Sequence, residues 1–207
     1  MKKNQEKRGF DYSFKAAFDL YFGSIRIFKP LNAMNVYSMF QPKSILDFTC
    51  GWGGRLIGAA ALNIPKYTGI DLNKDLRNPY KKMIKFLQNE SNTEIKMIFK
   101  DALEVDYSRL EYDLVLTSPP YYNTEIYEGT KTRTKKEWDE EFYKPLFEKT
   151  YKHLKFGGWY CLNIPVELHV KVTLPLFGKA VKEIPLIKKA RGKNEEYKEM
   201  IYCWKKT

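Results

Sequence analysis

Short apolar runs at 44–48, 66–70, 94–99, 112–116 and 159–164 alternate with stretches whose apolar residues recur at helical spacing. Strands that alternate with helices predict one α/β domain built on a mainly parallel sheet. In such sheets ligands bind at the carboxyl ends of the strands, at the switch point of the strand order. The residues with chemical potential fall at those ends: 47–54, then 71, 101 and 118–121. That coincidence says more than any one motif does.

Taken in order, residues 1–24 are polar and then aromatic, with Phe10, Tyr12, Phe14, Phe18, Tyr21 and Phe22. Ser13 to Leu20 reads as a short helix or as an aromatic arm that orders on contact. A helix is expected from about Leu31 to Phe40, with Pro30 at its first turn. Ser44 to Phe48 reads as a buried strand, followed by a helix from about Arg55 to Leu62. Further helices are expected at about 75–89, 136–154 and 172–179. The C-terminal part adds strands at 180–186 and 199–204, joined by a charged loop. The 207 residues suit a single domain, 1–207, with 1–24 as an extension and no separate target-recognition domain.

Nothing approaches the roughly 20 apolar residues that a membrane span needs, and residues 1–8 lack the apolar core of a signal peptide. A cytoplasmic or nucleoid-associated protein is the expectation, with no membrane partner. Cys50, Cys161 and Cys203 are far apart, and His153 and His169 have no partner pattern. Neither a disulfide framework nor a metal site is expected. The net charge of +11 favours a polyanionic partner, most simply nucleic acid.

The strand at 112–116 runs into Ser118-Pro119-Pro120-Tyr121-Tyr122. Consecutive prolines cannot continue a sheet ladder and force a rigid, extended exit. The Ser118 hydroxyl and the Ser118 and Pro119 carbonyls are thereby left at a strand end, beside an aromatic face. Acceptors next to a flat ring suit a planar group that carries an amine. The plainer reading is a strand terminator with two core tyrosines.

Gly51, Gly53 and Gly54 lie between a strand and a helix, where backbone N–H groups can approach a ligand. Asp71, followed by Leu72, stands about 20 residues on, a spacing that suits a ribose hydroxyl pair. Its plainer reading is a helix cap. Asp101, followed by Ala102, is placed to accept from an adenine amine, or else makes a local Asx turn. Gly-Lys-Ser and Gly-Lys-Thr are absent, so the ligand reads as nucleoside-like. Together these residues describe a pocket for S-adenosylmethionine.

On these motifs the chain resembles the S-adenosylmethionine-dependent DNA amino methyltransferases, which modify cytosine N4 or adenine N6. Ser118-Pro119-Pro120-Tyr121 matches the family's catalytic motif throughout. Asp47-Phe48-Thr49-Cys50-Gly51-Trp52-Gly53 matches its cofactor motif at Asp47, Gly51 and Gly53, and departs where Phe48 and Thr49 stand for Pro and Phe. Phe48 or Trp52 would then supply the aromatic contact. Lys29-Pro30 resembles a further family motif, with Lys29 or Arg26 on the methionine carboxylate. The resemblance covers roughly residues 25–165. It implies a Rossmann-like class I methyltransferase domain, a seven-stranded, mainly parallel sheet with helices on both faces. It also implies a cofactor set of Lys29, Asp47, Phe48, Cys50, Gly51, Gly53, Asp71, Leu72, Asp101 and Ala102.

The implied chemistry is positional. Ser118 and Pro119 hold the two N–H groups of a flipped-out base, and Tyr121 stacks on it. Methylation at cytosine C5 would need a Pro-Cys nucleophile, which is missing. Serine at the first motif position leans towards cytosine N4 and leaves adenine N6 open. An RNA base amino methyltransferase and a non-catalytic nucleic-acid-binding subunit are the alternatives. Tyr122, Lys131, Arg133, Lys135 and Lys136 form a candidate phosphate clamp, or simply a solvated face. Lys188 to Lys193 is a second basic stretch. With little chain left for reading a target sequence, either loops do so, or specificity is low, or a homodimer or specificity subunit contributes.

Overall fold

A computed structural model of the chain describes residues 27–124, 132–186 and 200–207. The expected aromatic helix at 13–20, Arg26, Lys131 and the basic stretch 188–193 lie outside the described residues. Helix α1 (Pro30–Phe40) begins with Pro30 in its first turn and ends at Gln41 in the left-handed region. Strand β1 (Ser44–Asp47) is buried throughout and leads through the glycine loop into α2 (Gly54–Ala61). Strand β2 (Lys66–Asp71), helix α3 (Arg77–Leu87), strand β3 (Glu94–Phe99) and strand β4 (Leu114–Thr117) follow. Strand β4 thus starts later than the sequence suggests and takes in Thr117.

Helix α4 consists of Lys135–Glu137, a π segment Trp138–Tyr143 and Lys144–His153. Strand β5 (Trp159–Ile164) leads to α5, built of Val166–Leu168, a π segment His169–Thr173 and Leu174–Phe177. In both helices a proline, Pro145 or Pro175, opens the segment after the π turn. Its missing N–H cannot complete the regular ladder, and the wider turn accommodates the gap. Helix α5 starts six residues before the expected 172, at Val166, directly after Pro165. Strands β6 (Lys182–Pro185) and β7 (Met200–Lys205) complete the chain.

The sheet has seven strands in the order β3-β2-β1-β4-β5-β7-β6. Strands β1 to β5 pair in parallel, and β7 runs antiparallel to both β5 and β6. Alternate strand residues feed two cores. Ile45, Leu114, Leu116 and Cys161 meet α1, α2 and α3 on one face. Leu46, Phe48, Val115 and Leu162 meet α4 and α5 on the other. Strands β1 and β4 are neighbours where the chain reverses its direction of travel across the sheet. The glycine loop and the double proline therefore leave the sheet side by side.

Candidate active site

Strand β1 ends on Asp47, which is fully buried. A buried carboxylate is costly unless it is paired and hydrogen-bonded. Arg55 Nε (2.7 Å), Tyr67 Oη (2.6 Å) and Thr117 Oγ1 (2.8 Å) all donate to it. They come from α2, β2 and β4, so one side chain ties three elements together. Arg55 is 4% exposed. Burial works against its charge, yet the Asp47 carboxylate outweighs burial and holds the guanidinium pKa above its ordinary value. Its Nη2 donates to the Thr49 carbonyl at 2.6 Å.

Thr117 has committed its proton to Asp47, because a carboxylate can only accept. The Thr49 proton is then shared between Thr117 Oγ1 (2.7 Å) and the Ser118 carbonyl (3.2 Å). The glycine loop is thereby wired to the double-proline strand end.

Gly51 sits at φ +55°, and a Cβ added there would meet nothing within 4 Å. It faces open space, the property of a loop that lets a ligand approach the backbone. Gly54 serves packing instead: its Cβ would lie 2.0 Å from the Phe28 carbonyl. The loop is braced from outside. Tyr80 Oη donates to the Gly51 carbonyl (2.8 Å), and Gly51 N–H donates to Asp71 Oδ2 (2.8 Å). Asp71 Oδ1 accepts from Asn73 N–H (2.9 Å). Burial raises the Asp71 carboxyl above its usual range, against those two hydrogen bonds. Asn73, rather than Asp71, caps the following turn.

Asp101 does make the plainer turn: its Oδ1 accepts from Leu103 N–H (2.9 Å). Among the described residues its other oxygen accepts no hydrogen bond. Leu72 is 45% exposed beside Asp71, and Trp52 is 54% exposed in the glycine loop. Ala102 is buried, and Lys29 is exposed at the start of α1.

Three of the expected cofactor contacts need correction. Phe48 is fully buried in the core against Phe147, at 6.2 Å between ring centroids, so its ring cannot touch a ligand. Trp52 is the exposed aromatic residue of that loop. Asp47 is consumed by its three donors and acts through them. Cys50 is buried and burial pushes its thiol pKa well up; only its backbone shapes the loop, with N–H on the Ile70 carbonyl at 2.9 Å. Gly53 packs against Met83 rather than facing open space.

On the acceptor side, Ser118 Oγ lies 3.2 Å from Tyr121 Oη. Asn163, next to last in β5, donates through Nδ2 to Ser118 Oγ (3.1 Å) and to Tyr121 Oη (2.6 Å). Tyr121 Oη in turn donates to the Asn163 carbonyl (3.0 Å). Tyr143, brought inward by the π segment, donates to the Pro120 carbonyl (2.6 Å) and accepts from Tyr122 N–H (2.9 Å). It holds Tyr122 at φ +50°, a region that a bulky residue adopts only under constraint. The Ser118 and Pro120 carbonyls thus have partners. The Pro119 carbonyl, between them, accepts no hydrogen bond among the described residues.

Tyr122 is also a correction. It is buried, its ring is edge-on to Tyr143, and its hydroxyl donates to Asp139 (3.2 Å). It braces the loop and presents no face to a nucleic acid. Arg133 stacks over Trp138 at 5.1 Å and lies 3.9 Å from Glu141. Lys135 pairs with Glu167 at 2.8 Å. The stretch that reads as acid-free is thus partly neutralised by acids from α4 and α5. Lys136 is exposed.

Arg55, Thr117, Tyr143 and Asn163 escaped sequence reasoning. Asn163 alone left a signal, a polar residue inside an otherwise apolar strand.

No family model matches the sequence, and no curated protein matches it either. Solved structures do match. A structure of an S-adenosylmethionine-dependent O-methyltransferase from Thermotoga maritima aligns with a TM-score of 0.59 at 14% identity, over 91% of this chain and 69% of its own. TehB from Haemophilus influenzae gives 0.56 at 13%, over 92% of this chain, which spans only 66% of the TehB chain. An rRNA methylase from Streptococcus thermophilus gives 0.55 at 15%, over 88% of this chain and 100% of its own. The fold is therefore the class I methyltransferase fold.

Proposed function

We propose that this chain transfers a methyl group from S-adenosylmethionine to an exocyclic amine of a DNA base, cytosine N4 or adenine N6. The observation that carries the reading is the unpaired Pro119 carbonyl beside the Ser118 hydroxyl, at a strand end next to the glycine loop. The cofactor's own site fits its chemistry. Gly51 offers backbone with open space before it, Asp71 and Asp101 offer carboxylate oxygens for ribose hydroxyls and an adenine amine, and Leu72 and Trp52 offer apolar surface. When bound, the cofactor supplies an electrophilic methyl group on a sulfonium.

The protein's task is placement. An exocyclic amine is a poor nucleophile because its lone pair is delocalised into the ring. Ser118 Oγ and the Pro119 carbonyl accept its two N–H groups and favour a pyramidal nitrogen. Oriented acceptors of this kind need no reorganisation during reaction. The target amine is inaccessible in a duplex, so the base must be flipped, and Tyr121 is placed to flank it. Lys135 and Lys136 are the described cations best placed to meet phosphate, and the charge of +11 favours a polyanion throughout.

RNA is the second reading, favoured by the rRNA methylase whose whole length aligns with this chain. Incubation with labelled cofactor and either plasmid DNA or total RNA, followed by nucleoside mass spectrometry, tests both. N4-methylcytosine or N6-methyladenine in the DNA is expected. Label in RNA alone would transfer the assignment to RNA, and label in neither would remove it.

A further inference from the structure

We propose that Asn163 turns the Ser118 hydroxyl into an obligate acceptor, so that the site selects bases bearing an amino group over bases bearing an oxo group. This rests on the acceptor assignment above. A free hydroxyl has one proton and two lone pairs and can meet an amine or a carbonyl equally well. Serine at this position is therefore ambiguous by itself.

The surrounding bonds remove the ambiguity. The Asn163 main-chain carbonyl can only accept, so the bond at 3.0 Å holds the Tyr121 proton. Tyr121 Oη is then an acceptor, for Asn163 Nδ2 at 2.6 Å and for Ser118 at 3.2 Å. The Ser118 proton points to Tyr121. Asn163 Nδ2 occupies one Ser118 lone pair at 3.1 Å. One lone pair remains and no proton. With the Pro119 carbonyl, the site offers two acceptors and no donor, which complements an NH2 group and opposes a C=O. Asn163 is 1% exposed, so water does not compete for this order. Cytosine differs from uracil, and adenine from hypoxanthine, at just this substituent.

The test is competition binding to the full chain with saturating S-adenosylhomocysteine. Short homopolymers of deoxycytidine and deoxyuridine form one pair, and those of deoxyadenosine and deoxyinosine the other. Each pair has the same phosphates, so the salt-dependent contribution cancels in the ratio. In at least one pair the amino polymer is expected to bind on the order of tenfold tighter, the effect of one unmatched buried polar group. Asn163→Leu should bring the ratio within about twofold, since the Ser118 proton is then free to turn. Tyr121→Phe keeps the ring, removes the acceptor for that proton and should act likewise; it gives the readout if Asn163→Leu fails to fold. An unchanged ratio in the folded variants overturns the role of Asn163. A wild-type ratio near one overturns the selectivity and leaves methyl transfer standing, whereas absence of transfer to any nucleic acid overturns both.

Discussion

The β1–β2 edge of the sheet and the β4–β5 edge meet at the same switch point and are built on opposite principles. At the first edge the residues with the strongest sequence signature are spent on the protein itself. Asp47 takes three donors, Asp71 holds Gly51 and Asn73, and the glycine loop leans on Tyr80. At the second edge the supports are Asn163 and Tyr143, and the motif residues are held so that acceptors remain. A motif acid at a strand end can thus be wiring, whereas a motif carbonyl held without a partner is available for chemistry. Damage to the first edge should therefore cost folding, and damage to the second should cost activity.

Arg55→Met tests this most severely. It leaves the Asp47 carboxylate buried without its cationic partner, and breaking a buried pair from one side typically costs about 3–5 kcal/mol. Urea unfolding should show a loss of that size, with the slope against denaturant unchanged. A variant of native stability that had lost only cofactor affinity would collapse the distinction between the edges.

The converse is Ser118→Ala combined with Tyr121→Ala. Methyl transfer should fall by about 10²–10³, the usual cost of removing groups that stabilise developing charge. Affinity for S-adenosylmethionine by calorimetry should survive, because neither side chain belongs to the glycine loop. Retained turnover would show that the acceptor site lies elsewhere.

The architecture was legible because its determinants are local. Prolines and glycines at 30, 42, 51–54 and 119–120 mark where helices and strands begin or stop, and β3 spans the expected residues. The coincidence of special residues at strand ends was legible for the same reason. Partnerships were not. The Asp47–Thr117 bond joins residues 70 apart and the Tyr121–Asn163 bond residues 42 apart, and no local pattern announces either. Phe48 shows a subtler gap. Side chains alternate along a strand, so Phe48 shares the face of Leu46 and points towards α4. Reading it as a cofactor contact followed the motif and overlooked the pleat. Tyr122 was beyond reach, since its direction is set by a left-handed backbone that Tyr143 holds from another helix.

The smallest effect belongs to Asp71, where the edges are least distinct, because its carboxylate both braces Gly51 and is proposed to hold ribose hydroxyls. Burial raises its pKa, so it takes up a proton at higher pH than the ordinary aspartate value of about 3.9. Protonation removes an acceptor. Affinity for S-adenosylmethionine should therefore be full above that raised pKa and decline as pH falls through it. The loss cannot be put down to unfolding through this group. A carboxyl whose folded pKa is raised contributes stability below its unfolded pKa, and that contribution is lost as pH rises through the folded value. Asp71→Asn should weaken binding by about tenfold at neutral pH, within the range for one hydrogen-bonding group, and should flatten the acid limb. Calorimetric titrations of both proteins across the acid range would show it. An identical acid limb in Asp71→Asn would assign that limb to another carboxylate at this edge and leave Asp71 as a brace for the glycine loop alone.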